Sequence, residues 1–109
     1  MGRMRKLALT ALLASLGPAP VLADPMEDLA KKKQCFDCHQ IDKEAIGPSF
    51  KAIAKKYKGA SNAEIMLADR VMKGGKAHFG SAAMPGQGAR PELTEAEAKS
   101  LVGWVLSMK

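Results

Sequence analysis

The segment 35–39, Cys-Phe-Asp-Cys-His, constrains this chain more than any other feature. Two thiols three positions apart lie on neighbouring faces of one helical turn, and an imidazole follows at once. This spacing is typical of sites where two thioether bonds hold a haem and the adjacent histidine ligates its iron. We therefore predict covalent haem attachment at Cys35 and Cys38, with His39 as one axial ligand.

Three other kinds of site compete for the same motif. A thioredoxin-like dithiol belongs to a βαβ setting, and no alternating strand pattern flanks residues 35–39. A zinc site needs four ligands, whereas the chain offers two cysteines and only one further histidine, His78. A disulfide between residues three apart closes a loop too small to stabilise the fold much. Haem attachment is the favoured interpretation, and a redox-active dithiol is the main alternative.

Residues 1–23 have the pattern of a secretory signal peptide. Two arginines and a lysine at positions 3, 5 and 6 form a basic head, and residues 7–16 are an uncharged apolar run. That run is too short for a membrane-spanning anchor, and the small residues that follow suit cleavage after Ala23. We predict export to the periplasm and a mature domain, residues 24–109, without a membrane anchor.

The charge balance argues against nucleic-acid binding. The chain has 17 basic and 11 acidic residues, but three of the basic ones lie in the predicted signal peptide. The mature domain would therefore carry a net charge of +3 over its 86 residues, far from the balance of a nucleic-acid-binding domain. A domain this small buries only about 60% of its unfolded surface, so a covalently held apolar cofactor would help to complete its core.

Four helix signals and the lack of any strand pattern predict an all-α fold. The helices are expected to begin at an Asp-Pro start at residue 24, just before residue 50, at a Ser-Asn-Ala-Glu capping box from residue 61, and at a Thr-Glu-Ala-Glu capping box from residue 94. Helical spacing assigns the following residues to their buried sides: Leu29, Ala30, Phe50, Ile53, Ala54, Tyr57, Ile65, Ala68, Val71, Met72, Ala98, Leu101, Val102, Val105 and Met108.

The glycine-rich stretch 74–93 is the expected source of the second iron ligand. A loop of that length without periodicity is uncommon unless it wraps something, and a haem would be that something. Met84 lies in its middle and is followed by a proline, whereas most other methionines of the mature domain fall in helical stretches. We predict Met84 as the ligand opposite His39. His78, in the same loop, is the alternative.

Together, the motifs resemble the small bacterial class I cytochromes c of the c-551/c-552 type, over nearly all of residues 24–109. The matching stretches lie at residues 35–39, 46–48 (Ile-Gly-Pro), 68–71 (Ala-Asp-Arg-Val), 84–85 (Met-Pro) and 104–107 (Trp-Val-Leu-Ser). The resemblance implies about four helices wrapped around one covalently attached haem c, with the first and last helices crossing and a long methionine-bearing loop. It also implies His39 and Met84 as the axial ligands.

The same resemblance implies further residues of the haem pocket. The Pro48 carbonyl would hold the His39 ring, Arg70 would lie near a haem propionate, and the Gln87 amide would lie near the methionine sulfur. Phe79 takes the place where the family often has a tryptophan that binds a propionate, and Gly86 replaces a second proline after the methionine. Both departures concern the propionate environment and the rigidity of the loop.

As to function, the resemblance implies a soluble, monomeric periplasmic carrier of single electrons rather than an enzyme. Its partners would be periplasmic redox proteins that dock transiently, such as a nitrite reductase or a terminal oxidase. Two rival functions remain at this point. A small peroxidase or gas-binding haem protein would need an open iron site and hence no Met84 bond, and a non-haem dithiol protein would carry no haem at all.

Overall fold

The computed structural model describes Gly17, residues 24–76, Gly80 and residues 82–109. These ranges contain four α-helices, α1 (Pro25–Lys32), α2 (Phe50–Lys56), α3 (Ala63–Lys73) and α4 (Glu95–Leu106), with a 3₁₀ turn at Cys35–Asp37. The predicted all-α fold is confirmed, and the β contact in these ranges is an isolated bridge between Gly75 and Met84. The signal-peptide prediction (apart from Gly17), His78 and Phe79 lie outside the described residues.

Local side-chain bonds explain where two of the helices begin. The Asp24 carboxylate accepts a hydrogen bond from the Met26 backbone N–H at 2.9 Å, which caps α1. Thr94 and Glu97 form the predicted capping box of α4, because each side chain accepts from the other's backbone N–H, at 3.0 and 3.1 Å. Both starts follow directly from the sequence.

The predicted capping box of α3 is wrong. The helix begins at Ala63, and the residue that caps it, Asn62, makes no side-chain hydrogen bond to the helix. The backbone N–H of Ala63 instead donates to the Ala60 carbonyl at 3.3 Å, so the preceding turn runs directly into the helix. The Asn62 backbone also lacks the extended conformation that helix-capping residues usually adopt.

Helix α4 is the centre of the packing and contacts α1, α2 and α3. The main cluster of buried residues comprises Ala30, Ala68, Leu93, Ala98, Leu101 and Val102. Its three alanines let the helix backbones approach closely. The prediction that Ile65 is buried is wrong, because its side chain is 71% exposed. The buried side of α3 is turned toward Leu67 and Val71, which face a cavity beside the core, and this rotation carries Ile65 to solvent.

Close backbone contacts hold the methionine-bearing loop against the end of α3. Gly75 and Met84 exchange two backbone hydrogen bonds, each 2.8 Å long. A Cβ atom at Gly86 would collide with the carbonyl oxygen of Lys73, which belongs to the backbone and cannot easily move away. The loop is therefore fixed at Gly86 by an approach that requires glycine. Within the described ranges, no helix is long and apolar enough to cross a membrane.

Candidate functional site

One cavity brings together the residues that the sequence singled out as haem ligands. Its empty space is about 1070 Å³, including the part open to solvent. Its lining residues include Cys35, Cys38, His39, Pro48, Phe50, Tyr57, Leu67, Arg70, Val71, Met84, Leu101, Val102, Trp104 and Val105. Apolar side chains of α2, α3 and α4 thus form most of its walls, as a large apolar cofactor requires.

The orientation of the His39 ring is fixed from two sides. Its Nδ1 atom donates to the Pro48 carbonyl at 2.7 Å, because a carbonyl can only accept. The ring also stacks on Phe50, with 5.3 Å between the ring centroids and 23° between the planes. A proton held on Nδ1 leaves the lone pair of Nε2 available for a metal, the usual arrangement of a histidine ligand.

Gly47 makes room for this ring. A Cβ atom at this position would stand 2.7 Å from Cε1 and 2.9 Å from Nδ1 of His39, closer than real contacts allow. The Gly47 backbone N–H in turn donates to the Cys38 carbonyl at 2.7 Å. The segment that orients the histidine is therefore itself tied back to the two-cysteine motif.

An aromatic cluster supports the same side of the cavity. The Phe50 ring meets the rings of Phe36 and Trp104 edge-on, at 5.6 Å between centroids in both cases. The Trp104 indole N–H donates to the Asp24 carboxylate at 3.2 Å. The residue that caps α1 thus also holds a cavity-lining side chain of α4, which joins both ends of the described domain to the site.

The two cysteines are half-buried at the edge of the cavity. Burial raises the pKa of the Cys35 thiol above its ordinary value, although the positive charge of Arg90 opposes part of the rise. Redox-active Cys-x-x-Cys pairs depend on a thiol whose pKa is lowered. Cys35 therefore lacks the lowered pKa on which such a pair depends.

The remaining predicted site residues occupy different positions around the cavity. Arg70 lines it and donates from Nη1 to the Gly74 carbonyl at 2.8 Å, which places its guanidinium at the base of the methionine loop. Gln87 does not line it. Two hydrogen bonds direct its amide toward the backbone of Leu93, at 2.6 and 3.3 Å, and the sulfur it contacts at 3.5 Å is that of Met72 rather than Met84.

Residues 24–109 match the sequence model of the family described as Cytochrome c. The chain belongs to the cytochrome c family. It is 39% identical over 106 residues to cytochrome c-552 of Hydrogenobacter thermophilus, an alignment that covers 97% of this chain and 100% of that protein. It is 38% identical over 109 residues to cytochrome c-551 of Pseudomonas aeruginosa, with 97% and 100% covered. The resemblance stated from the motifs is confirmed.

The fold comparison agrees with the sequence comparison. The crystal structure of wild-type Nitrosomonas europaea cytochrome c552 superposes with a TM-score of 0.68 at 36% identity, over 76% of this chain and 99% of that one. Proteins of this family carry one covalently attached haem c and transfer electrons, and Cys35 and Cys38 supply the two thiols of the attachment motif. This protein is accordingly a haem c protein of electron transport.

Three residues important to the site received no role in the sequence analysis. Gly47, Phe50 and Trp104 fix the histidine ring or its neighbours through space, and Phe50 had been assigned only to a buried helix face. Gly47 and Trp104 stand in two of the stretches that carry the family resemblance, which was the available signal for both.

Proposed function

We propose that this protein is a soluble periplasmic carrier of single electrons whose haem iron is held by His39 and Met84. The observation that carries the proposal is the geometry of His39, whose Nδ1 hydrogen bond to Pro48 leaves Nε2 as a ligand toward the cavity. Met84 reaches the same cavity from the other loop. When bound, the haem supplies a ferric/ferrous couple, and a thioether ligand favours the ferrous state relative to a second imidazole.

The residues of this chain would keep the site closed and unchanged between the two oxidation states. Phe50 and Pro48 hold the His39 ring, and the paired hydrogen bonds between Gly75 and Met84 hold the opposite loop. Leu101 and Val102 are almost fully buried in the cavity wall and exclude water from it. A site that changes little on electron gain or loss presents a low barrier to transfer, which suits a carrier.

Carbon monoxide binding to the reduced holoprotein tests this function. A carrier with both axial positions filled should bind no carbon monoxide, whereas Met84→Ala should bind it and shift the visible spectrum. Met66→Ala is the matched control, since Met66 lies half-buried in α3 and does not line the cavity. Ready binding by the unmodified protein would instead favour the gas-binding or peroxidase function.

The periplasmic location is part of the proposal and is supported by the basic head and apolar run of residues 1–23. Cell fractionation with mass spectrometry tests it directly. We expect the periplasmic protein to begin at Asp24 and to carry the mass of one haem. A haem-bearing protein that retains residue 1 in the cytoplasmic fraction would contradict this part of the proposal.

The proposed partners are periplasmic redox proteins with an acidic docking surface, such as a nitrite reductase or a terminal oxidase. Ile46 lines the cavity and is 66% exposed, so it offers an apolar contact at the opening. Lysines 51, 55, 56 and 58 are exposed on α2 and the turn after it. Opposite charges accelerate docking, and salt screens them.

Electron transfer to such a purified partner should therefore slow as the salt concentration rises. The double variant Lys55→Gln/Lys58→Gln should slow it at low salt, while Lys99→Gln, which removes an exposed lysine of α4, should not. If the rate is independent of salt and equal in both variants, docking rests on apolar contact around Ile46 instead.

A further inference from the structure

Arg90 carries a buried positive charge that the proposed function does not use. All three nitrogens of its guanidinium group are closed off from solvent, and none has a hydrogen-bond partner in the part of the chain that the structure describes. Burying a charge without a partner typically costs several kcal/mol, and arginine cannot escape by losing its proton. The fold therefore keeps the Arg90 charge buried although this burial lowers its stability.

The segment around Arg90 is fixed over the start of the two-cysteine motif. The Gln87 side chain holds the Leu93 backbone through two hydrogen bonds. Lys33 donates from Nζ to the Glu92 carbonyl. Leu93 belongs to the buried cluster against which Cys35 packs. These contacts hold the segment that carries Arg90 against the part of the core where the haem-tethering residue Cys35 packs.

Arg90 does not line the cavity. Its influence on the cavity must therefore act through the protein that lies between them. Electrostatic interactions through buried protein are stronger than those through water and are screened little by salt. This distinguishes Arg90 from the exposed lysines of the surface.

We propose that Arg90 is an electrostatic determinant of the reduction potential, which it raises. The oxidised iron site carries one more positive charge than the reduced one, so a fixed cation nearby disfavours oxidation. Arg90 neither gains nor loses an electron or a proton; it changes only the balance between the two states. The inference rests on the proposed function as an electron carrier and adds to it a residue that sets the driving force.

Reduction potentials of four holoprotein variants test the inference. Arg90→Gln and Arg90→Leu remove the charge, Arg90→Lys keeps it, and Lys32→Gln is the control that removes an exposed charge from the neighbouring helix. Removing the Arg90 charge should shift the electron-exchange equilibrium with a fixed redox standard by about threefold or more, which corresponds to a reduction potential roughly 30 mV lower. The shift should persist from low to high salt. Arg90→Lys should keep most of the potential, and any effect of Lys32→Gln should vanish in salt.

Stability provides a second readout that separates charge from structure. Because Arg90→Leu replaces an uncompensated buried charge by an apolar side chain, its free energy of unfolding should match or exceed that of the parent. Unchanged potentials in Arg90→Gln and Arg90→Leu would overturn the inference. So would an Arg90→Lys protein that loses as much potential as Arg90→Leu, or an Arg90→Leu protein that is strongly destabilised. Failure of the carrier function would show differently, as carbon monoxide binding by the parent protein.

Discussion

Replacing Gly47 with alanine should disturb His39, the proposed iron ligand, through a single methyl group. The new Cβ would stand 2.7 Å from Cε1 and 2.9 Å from Nδ1 of the His39 ring. The ring cannot turn away freely, because Pro48 holds it at 2.7 Å and Phe50 covers its face. The backbone at Gly47 is not left-handed, so alanine itself fits there without strain in the main chain.

The expected cost follows from three contributions. Adding a methyl group to a packed site typically costs about 1–3 kcal/mol, and a weakened hydrogen bond to Pro48 adds about 1 kcal/mol. Alanine also reduces the conformational entropy of the unfolded chain, which offsets about 0.4–1 kcal/mol of this loss. We expect the free energy of unfolding of the holoprotein to fall by about 2 kcal/mol.

Urea unfolding followed by haem absorbance and far-ultraviolet circular dichroism measures this loss. Gly103→Ala is the matched control, because it makes the same change in the middle of α4 where a Cβ would meet nothing within 4 Å. That variant should gain up to about 1 kcal/mol from its better helix propensity. If Gly47→Ala proves as stable as the parent, with an unaltered haem spectrum, the close packing around His39 has been misjudged.

Three further predictions concern the helix caps and the methionine loop. Thr94→Ala should lower the free energy of unfolding by about 1 kcal/mol, and Thr94→Ser should keep it; equal urea midpoints for all three proteins would contradict the capping box. The hydrogen bond from the Thr94 backbone N–H holds the pKa of the Glu97 carboxyl below its ordinary value. The stability that ionised Glu97 contributes is therefore complete above its unfolded pKa of about 4.3. This stability is lost as the pH falls through the folded pKa. Glu97→Gln should therefore flatten the loss of stability in acid, and an unchanged acid titration of stability would argue against it. Gly86→Ala should push the loop away from Lys73 and weaken the ferric methionine signal, and a spectrum identical to that of Gly103→Ala would count against the close approach.

The local features of this fold could be predicted from the sequence. The starts of α1 and α4 depend on side chains within three residues of the helix they cap, so Asp24 and Thr94 could be read directly. The family resemblance rests on motifs whose order and spacing are visible in the chain, and the comparisons confirm it. Periodicity located the buried faces of α2 and α4 for the same reason.

Features that depend on distant partners could not be predicted in this way. Ile65 has the spacing of a buried residue, but α3 turns its apolar side toward the cavity, which the sequence of α3 alone does not reveal. The Ser61 motif has the composition of a capping box, but the turn before α3 already satisfies the first backbone N–H. Gln87 and Arg90 depend on how the loop folds back over residues 33–35, a contact between segments more than fifty positions apart.

The measurement that tests the central claim most directly is the absorption spectrum of the ferric holoprotein in the far red, where a weak charge-transfer band marks sulfur bound to the iron. We predict the band in the parent protein and in His78→Ala, and its loss in Met84→Ala, with His39 as the remaining protein ligand. A parent protein without the band, whose bis-imidazole signals disappear on replacing His78, would show that the iron is held by two histidines and that Met84 is not its ligand.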